Sequence, residues 1–134
     1  MAQADAVIYV YSVTTPLSRS EQMYIRYAIL PQNYTKLFLV GNYSDLLNST
    51  DNFEKVRDLM NKRTKLLLPG EKTYLISALD EMCRILDKKR PCPELESILK
   101  NEFEELREDI MNMVQEKKDT VLIDRMQRMT RQMI

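Results

Sequence analysis

Two short polar segments follow directly on apolar runs, and their residue types could recognise a nucleobase. The residues concerned are Asn42, Tyr43 and Asp45 in the first segment and Ser77, Ala78 and Leu79 in the second. Ligands of open α/β sheets bind beyond the carboxyl ends of the strands. If both apolar runs are strands, the Asn42–Asp45 segment and the Ser77–Leu79 segment therefore lie where a ligand would bind.

The chemistry of these side chains fits a guanine base. Guanine presents two N–H donors on one edge, and a single carboxylate such as Asp45 can accept both in charge-assisted bidentate hydrogen bonds. The Asn42 amide has donors and acceptors and could join neighbouring loops. The backbone N–H of Ala78 could donate to guanine O6, with Ser77 bracing the turn. Adenine reverses this donor and acceptor pattern, so the arrangement would select guanine. The alternative is an ordinary turn, in which Asn and Asp are also common.

The sequence offers nothing that would hold a phosphate or perform catalysis. A phosphate loop needs G-x-x-x-x-G-K-[ST], and the two glycines, Gly41 and Gly70, do not fit it. The chain contains no histidine, which excludes Ser–His and Cys–His nucleophile pairs and histidine metal ligands. Cys83 and Cys92 have no metal or redox spacing, and reduced thiols are expected. We therefore predict base recognition without a catalytic residue, metal or cofactor in this chain.

Composition limits the remaining possibilities. A length of 134 residues suits about one domain. Twenty Lys and Arg residues balance twenty Asp and Glu residues, so no net field favours nucleic acid as a partner. No apolar run approaches the ~20 residues of a membrane span, and the first residues lack the features of a signal peptide. A cytoplasmic location is therefore expected. The acidic side chains from Glu102 to Glu108 are expected on solvated helix faces.

The apolar pattern predicts alternating strands and helices. The expected strands are 6–13, 36–41 and 72–76, because each is a short run rich in apolar and β-branched residues. The first helix should begin with a capping box of Ser18 and Glu21, supported by Leu17, and should extend to about Leu30. Its expected buried residues are drawn from Met23, Tyr24, Tyr27 and Ala28. A second capping box, Asp51 and Glu54, should begin the next helix, which ends before the Leu68-Pro69-Gly70 stop.

The rest of the chain reads as helical. A third helix should begin at Ala78 and end before Pro91, because proline removes a donor and restricts the preceding residue. From Glu94 to the end there is no glycine or proline, and apolar residues recur every three or four positions. The prediction is an α/β fold with a partial three-stranded parallel sheet and crossover helices, followed by a long α-helical tail.

Four segments resemble parts of dynamin-like GTPases. Residues 4–12, with 16–18 and Glu21, resemble the strand after the switch II region. Residues 37–47 resemble the N/T-K-x-D segment, 74–79 the S-A-K/L segment, and 94–103 the last helix of the GTPase domain. The resemblance covers most of residues 4–105. The family lysine is Tyr43 here, whose ring could stack on the base, or the site could be degenerate. The family's phosphate loop, switch threonine and D-x-x-G motif have no counterpart.

The resemblance implies that residues 1–105 are the C-terminal half of a P-loop GTPase domain and that 106–134 begin a helical neck or stalk. The intact parent would bind and hydrolyse GTP with Mg²⁺, self-assemble and associate peripherally with membranes. This chain alone is expected to be inactive, to bind guanine nucleotide weakly, and to form a homo-oligomer through the 6–13 strand, the tail, or both. The alternatives are a non-enzymatic scaffold with a degenerate nucleotide site and a partner-binding tail, and a nucleotide sensor that never hydrolysed.

Overall fold

The computed structural model describes residues 6–15, 17–32 and 36–133. The strands are β1 (Ala6–Ser12), β2 (Lys36–Asn42) and β3 (Thr73–Leu75), and the α-helices are α1 (Arg19–Tyr24), α2 (Thr50–Leu67), α3 (Ala78–Ile85) and α4 (Glu96–Met133). A π-helix (Ile25–Ile29) continues α1, and 3₁₀ turns form at Ser44–Leu47 and Pro93–Leu95. The strands form a parallel sheet in the order β1-β2-β3. The predicted α/β class, three-stranded parallel sheet and long C-terminal helix are confirmed.

One face of the sheet forms the main core. Parallel register places Val7 beside Leu37 and Tyr9 beside Leu39, and successive side chains of a strand point to opposite faces. The core cluster also includes buried residues of the helices and of the segment before α4: Ile25, Ile29, Phe53, Met60, Leu67, Cys92, Leu95 and Leu99. The central strand β2 is buried from Leu37 to Gly41 on both faces. This is why its sequence is continuously apolar rather than alternating.

The first helix buries different residues from those expected. Ile25 and Ile29 are buried, whereas Met23, Tyr24 and Tyr27 are exposed. The helix widens here, since Leu30 N–H donates to Ile25 O at 2.8 Å, five residues back. The prediction of Met23, Tyr24 and Tyr27 as core residues was therefore wrong. It assumed the spacing of a regular α-helix, whereas the helix continues as a π-helix.

The two predicted capping boxes had different outcomes. Ser18 caps α1, with its Oγ accepting from Glu21 N at 3.3 Å, as expected. Helix α2 begins two residues earlier than the proposed Asp51 and Glu54 box, because Ser49 is its N-cap and accepts from Asn52 N at 3.1 Å. A serine at this position satisfies the same orphan N–H groups that the box was expected to satisfy. Asp51 instead lies in the first turn of α2.

Glu102 is not on a solvated helix face. Its carboxylate bonds the guanidinium of Arg57, and its Oε2 accepts from the backbone N–H of Leu75 at 3.3 Å. Leu75 belongs to the edge strand β3, and the N–H in question points away from β2. The expectation for this residue was therefore wrong, although Glu104, Glu105 and Glu108 are exposed. Glu102 thus caps part of the β3 edge.

The chain divides into two compact units, Met1–Phe103 and Glu104–Ile134. The second unit is the continuation of α4, whose 38 residues would measure about 57 Å at 1.5 Å per residue. Its exposed apolar residues include Leu122, Ile123, Met126 and Met129. Among the described residues, no helix has both the length and the apolar character needed to cross a membrane. The role of 106–134 as the start of a neck or stalk stays a prediction.

Tyr11 gives the fold a pH dependence that can be measured. Burial raises the pKa of its phenol to about 12, and its Oη lies 2.6 Å from Thr73 Oγ1. The pKa of Tyr11 in the folded chain exceeds its unfolded value of 10.0. The contribution of Tyr11 to the free energy of unfolding is therefore fully present below pH 10 and is lost as the pH rises through 12. We expect about 2–3 kcal/mol of unfolding free energy to be lost over that interval. Urea unfolding at pH 9, 10, 11 and 12 should show this loss, and Tyr11→Phe should reduce it.

Candidate functional site

The Asn42–Asp45 and Ser77–Leu79 segments lie side by side at the carboxyl end of the sheet. Strands β2 and β3 are parallel neighbours, so their ends meet at the same edge. The ladder continues past the strands, since Ile76 N–H donates to Gly41 O at 2.7 Å and Ser44 N–H donates to Ile76 O at 3.1 Å. Backbone hydrogen bonds therefore fix the spacing between the two segments.

Asn42 joins the two segments through its side chain. Its Oδ1 accepts from the backbone N–H of Tyr43 at 2.7 Å and from that of Ala78 at 3.0 Å. The Ala78 N–H is the group that we expected, from the sequence, to donate a hydrogen bond to guanine O6. In this structure Asn42 occupies it, so a base carbonyl would have to share or replace this bond.

Asp45 is held by the second segment. Its side chain is 7% exposed, and its Oδ1 accepts from Ser77 Oγ at 2.8 Å. Ser77 is also the N-cap of α3, because its Oγ accepts from Asp80 N at 3.0 Å. One hydroxyl therefore orients the carboxylate and begins the helix, which is the bracing role expected of Ser77.

Tyr43 has a strained backbone and an exposed ring. Its φ of 67° and ψ of 27° place it in the left-handed region, which costs a non-glycine residue roughly 1–2 kcal/mol. This conformation turns the chain from β2 into the 3₁₀ turn that carries Asp45. The Tyr43 ring is 53% exposed and is available to contact a ligand. Backbone strain of this kind clusters at functional sites, and Tyr43 lies within the candidate site. Leu79 is also largely exposed.

A largely buried ion pair adjoins the second segment, and no local sequence pattern indicates it. Arg90 forms a bidentate pair with Asp80, with Nε to Oδ1 at 3.0 Å and Nη2 to Oδ2 at 2.7 Å. Arg90 Nη2 also donates to Glu96 O at 2.8 Å. Hydrogen bonding to Asp80 raises the pKa of the Arg90 guanidinium. Because Asp80 N–H is bonded to Ser77 Oγ, the pair continues a polar network that reaches Asp45.

An apolar pocket opens next to the second segment. It has a volume of about 330 Å³ and is lined by Ala78, Glu81, Met82, Ile85, Leu86 and Phe103. Ligand pockets start at roughly 300 Å³ and are mostly apolar with a few polar groups. The pocket shares Ala78 with the second of the two segments.

The two segments together present groups of the kind that bind a planar polar ring. They combine an oriented carboxylate, an amide oxygen and a backbone N–H with an exposed aromatic ring. In the part of the chain that is described, no group of three His, Cys, Asp or Glu side chains could hold a metal ion. The sequence matches no protein-family model, and neither the curated proteins nor the solved structures contain a match.

Proposed function

We propose that this chain is the guanine-recognising half of a dynamin-like GTPase domain, inactive as a catalyst on its own. The observation that supports this proposal is the direct bonding of the two predicted base-reading segments. Asn42 Oδ1 accepts from Ala78 N at 3.0 Å, and Asp45 Oδ1 accepts from Ser77 Oγ at 2.8 Å. These bonds fix the donor and the carboxylate relative to each other, as a base site requires.

In this proposal Asp45 accepts the two N–H groups of guanine, and the Ala78 N–H donates to O6. The Asn42 bond keeps Ala78 N–H satisfied without ligand, which avoids an unpaired donor but makes the base compete for it. Tyr43 stacks on the base in place of the family lysine, and its exposed ring is suited to that contact. The weak affinity expected of the chain follows from this competition and from the lack of a phosphate cradle.

The remaining properties belong to the intact parent in this proposal. These are GTP hydrolysis with Mg²⁺, which needs a phosphate loop and metal ligands, self-assembly, and peripheral membrane association from the cytoplasm. The chain described here would supply specificity for the base and the start of the helix that leads into a neck or stalk. Its P-loop ancestry is part of the same proposal.

One observation favours the alternative of a non-enzymatic scaffold. The Ala78 N–H and one Asp45 oxygen already have protein partners, as they would in a degenerate site. The tail also exposes Leu122, Met126 and Met129 on its helix, and a Met-rich surface is adaptable to partners. In this alternative, the two bonded segments serve only to stabilise the fold, and the tail is the functional surface.

Nucleotide titration distinguishes the two functions. We expect GDP to shift the backbone amide resonances of Tyr43 and Ala78 with a Kd weaker than about 1 mM, or about 4 kcal/mol of binding free energy. ADP should leave these resonances unchanged, because adenine presents the reversed pattern. Micromolar binding of GDP in calorimetry would contradict the expected weakness, and equal shifts with ADP would favour the scaffold.

The matched variants are Asp45→Asn and Asp51→Asn. Asp45→Asn keeps the shape but gives up the carboxylate acceptor, so in this chain the GDP-induced amide shifts should be lost. In the intact parent, guanine affinity should fall by about 1.5–3 kcal/mol and xanthine nucleotides should gain. Asp51 is exposed in the first turn of α2, and its variant should bind GDP as the wild type does. Thermal unfolding of Asp45→Asn must be measured alongside, since Asp45 also bonds Ser77. Unchanged GDP response in a folded Asp45→Asn protein would make Asp45 a turn residue only.

A further inference from the structure

In the part of the chain that the structure describes, one edge of strand β1 has no neighbouring strand. The sheet order places β1 at one side, and within the described residues it pairs only with β2. Its side chains Ile8 and Val10 are 51% and 57% exposed. Natural edge strands are usually blunted by charges, proline or a bulge. The stretch Ala6–Ser12 has no charged residue and no proline, so nothing in it opposes strand addition.

The direction of each backbone group on β1 follows from one hydrogen bond. Val13 N–H donates to Asn42 O at 3.1 Å, which extends the β1–β2 ladder by one step. Successive residues of a strand direct their N–H and C=O to opposite edges, so odd-numbered residues of β1 face β2. The even-numbered residues face outward. Ser12 O accepts from Thr15 N in a turn, which leaves Ile8 and Val10 at the centre of the open edge.

We propose that β1 pairs antiparallel with β1 of a second copy of this chain, about a two-fold axis through Tyr9. In this register Ile8 lies opposite Val10 of the second copy, and Val10 lies opposite Ile8. Both residues direct their backbone groups outward, so each of the two pairs exchanges both N–H···O bonds. The exposed Ile8 and Val10 side chains then meet on one face of a six-stranded sheet. This dimer does not depend on nucleotide recognition.

The β1 edge is self-complementary, and for this reason we propose a second copy of the chain as its partner. A two-fold axis requires the same surface to be complementary to itself, and a pattern in which Ile8 and Val10 are equivalent about Tyr9 satisfies that condition. β-Branched pairs directly opposite each other stabilise antiparallel strands. The chain has a formal net charge of zero, so no long-range repulsion separates two copies.

Val10→Lys tests the interface. Val10 is exposed in one copy, so lysine is tolerated there, but in the dimer each lysine would lie opposite Ile8 of the other copy and diagonal to the second lysine, roughly 7–8 Å away. We expect association measured by sedimentation equilibrium to weaken at least about tenfold. The matched control is Leu66→Lys, since Leu66 on α2 is 74% exposed and lies outside β1. That variant should associate as the wild type does. A wild type that remains monomeric at ~100 µM, or a Val10→Lys protein that associates unchanged, would overturn the proposal.

Single cysteines test the register. Opposed residues at Tyr9 form a non-hydrogen-bonded pair with Cα atoms ≈ 4.5 Å apart, which a disulfide can span. Tyr9→Cys should therefore form a cross-linked dimer on mild oxidation and still associate under reducing conditions. Val7→Cys should not cross-link, because Val7 lies opposite Tyr11 and its two copies are roughly 13 Å apart. The wild type measures any background from Cys83 and Cys92, which are buried. Equal cross-linking of the Tyr9 and Val7 variants would overturn this register.

Discussion

Replacing Asp80 with alanine is expected to destabilise the fold by about 3–5 kcal/mol, the cost of breaking a buried ion pair by removing one partner. Asp80 is 1% exposed and makes both bonds of the pair with Arg90. Its loss leaves the mostly buried Arg90 guanidinium with only the more distant and more exposed carboxylate of Glu96, at 3.8 Å. Urea denaturation followed by circular dichroism measures the change in unfolding free energy.

The matched control for Asp80→Ala is Glu71→Ala. Glu71 pairs with Lys36 at 2.6 Å, but both side chains are about a third exposed. Exposed pairs typically contribute about 0–1 kcal/mol, so this variant should unfold almost as the wild type does. Equal effects of the two substitutions would show that Asp80 and Arg90 are not buried as described. Asp80→Asn should fall between them, because it keeps the shape and part of the hydrogen bonding but loses the charge.

Replacing Gly41 with valine is expected to cost about 3 kcal/mol or more, at the upper end of the range for overpacking a core. A Cβ at Gly41 would lie 2.9 Å from Leu75 Cδ2 and 3.0 Å from the ring of Tyr11. The Tyr11 ring cannot easily move aside, because its hydroxyl contacts Thr73. Gly41 also accepts the hydrogen bond from Ile76, so the displacement should reach the candidate site. Chemical denaturation and the amide resonances of Ala78 report the two effects.

A double-mutant cycle identifies the cause of the Gly41 effect. Tyr11→Leu removes the ring that a Cβ at Gly41 would meet, so Gly41→Ala should cost less in that background than in the wild type. Gly70→Ala is the control, because Gly70 has a φ of +86° but no atom within 4 Å of an added Cβ. Its cost of roughly 1–2 kcal/mol comes from backbone strain and should not depend on Tyr11. Additive costs for Gly41→Ala and Tyr11→Leu would contradict the steric explanation.

The sheet could be predicted from the sequence because its strands have local signals. The expected strand 6–13 ends at Ser12 in the structure, and 36–41 extends to Asn42. The third, expected at 72–76, is assigned only to Thr73–Leu75, although Ile76 N–H still bonds Gly41 O. A continuous apolar run indicates a strand, although it does not fix burial, since Ile8 and Val10 of the edge strand β1 are exposed. The ends of a strand are set by neighbouring strands, which a local pattern does not contain.

The sequence was sufficient to predict that the candidate residues lie close together, but not which contacts hold them in place. Asn42, Asp45 and Ser77 could be identified because they follow strands directly, and the structure brings all three together. The pair of Asp80 and Arg90 could not, because it joins a helix to a loop through tertiary packing and has no periodicity. The same limit explains Glu102. Its neighbours in sequence are charged and suggest a solvated face, while its actual partners, Arg57 and Leu75, are distant in the chain.

The two edges of the sheet differ in what they can bind. At the β3 edge, the strand has only three residues, and Glu102 already accepts the outward N–H of Leu75. At the β1 edge, seven residues form the strand and none carries a charge. If β1 pairs as proposed, each copy offers one open strand edge among the described residues, and a two-fold pair uses both. Raising the protein concentration should then populate dimers and not extended fibres. Removing the Glu102 carboxylate would leave the outward N–H of Leu75 at the β3 edge without this acceptor. That edge would then provide a second, weaker site for strand pairing and permit polymerisation.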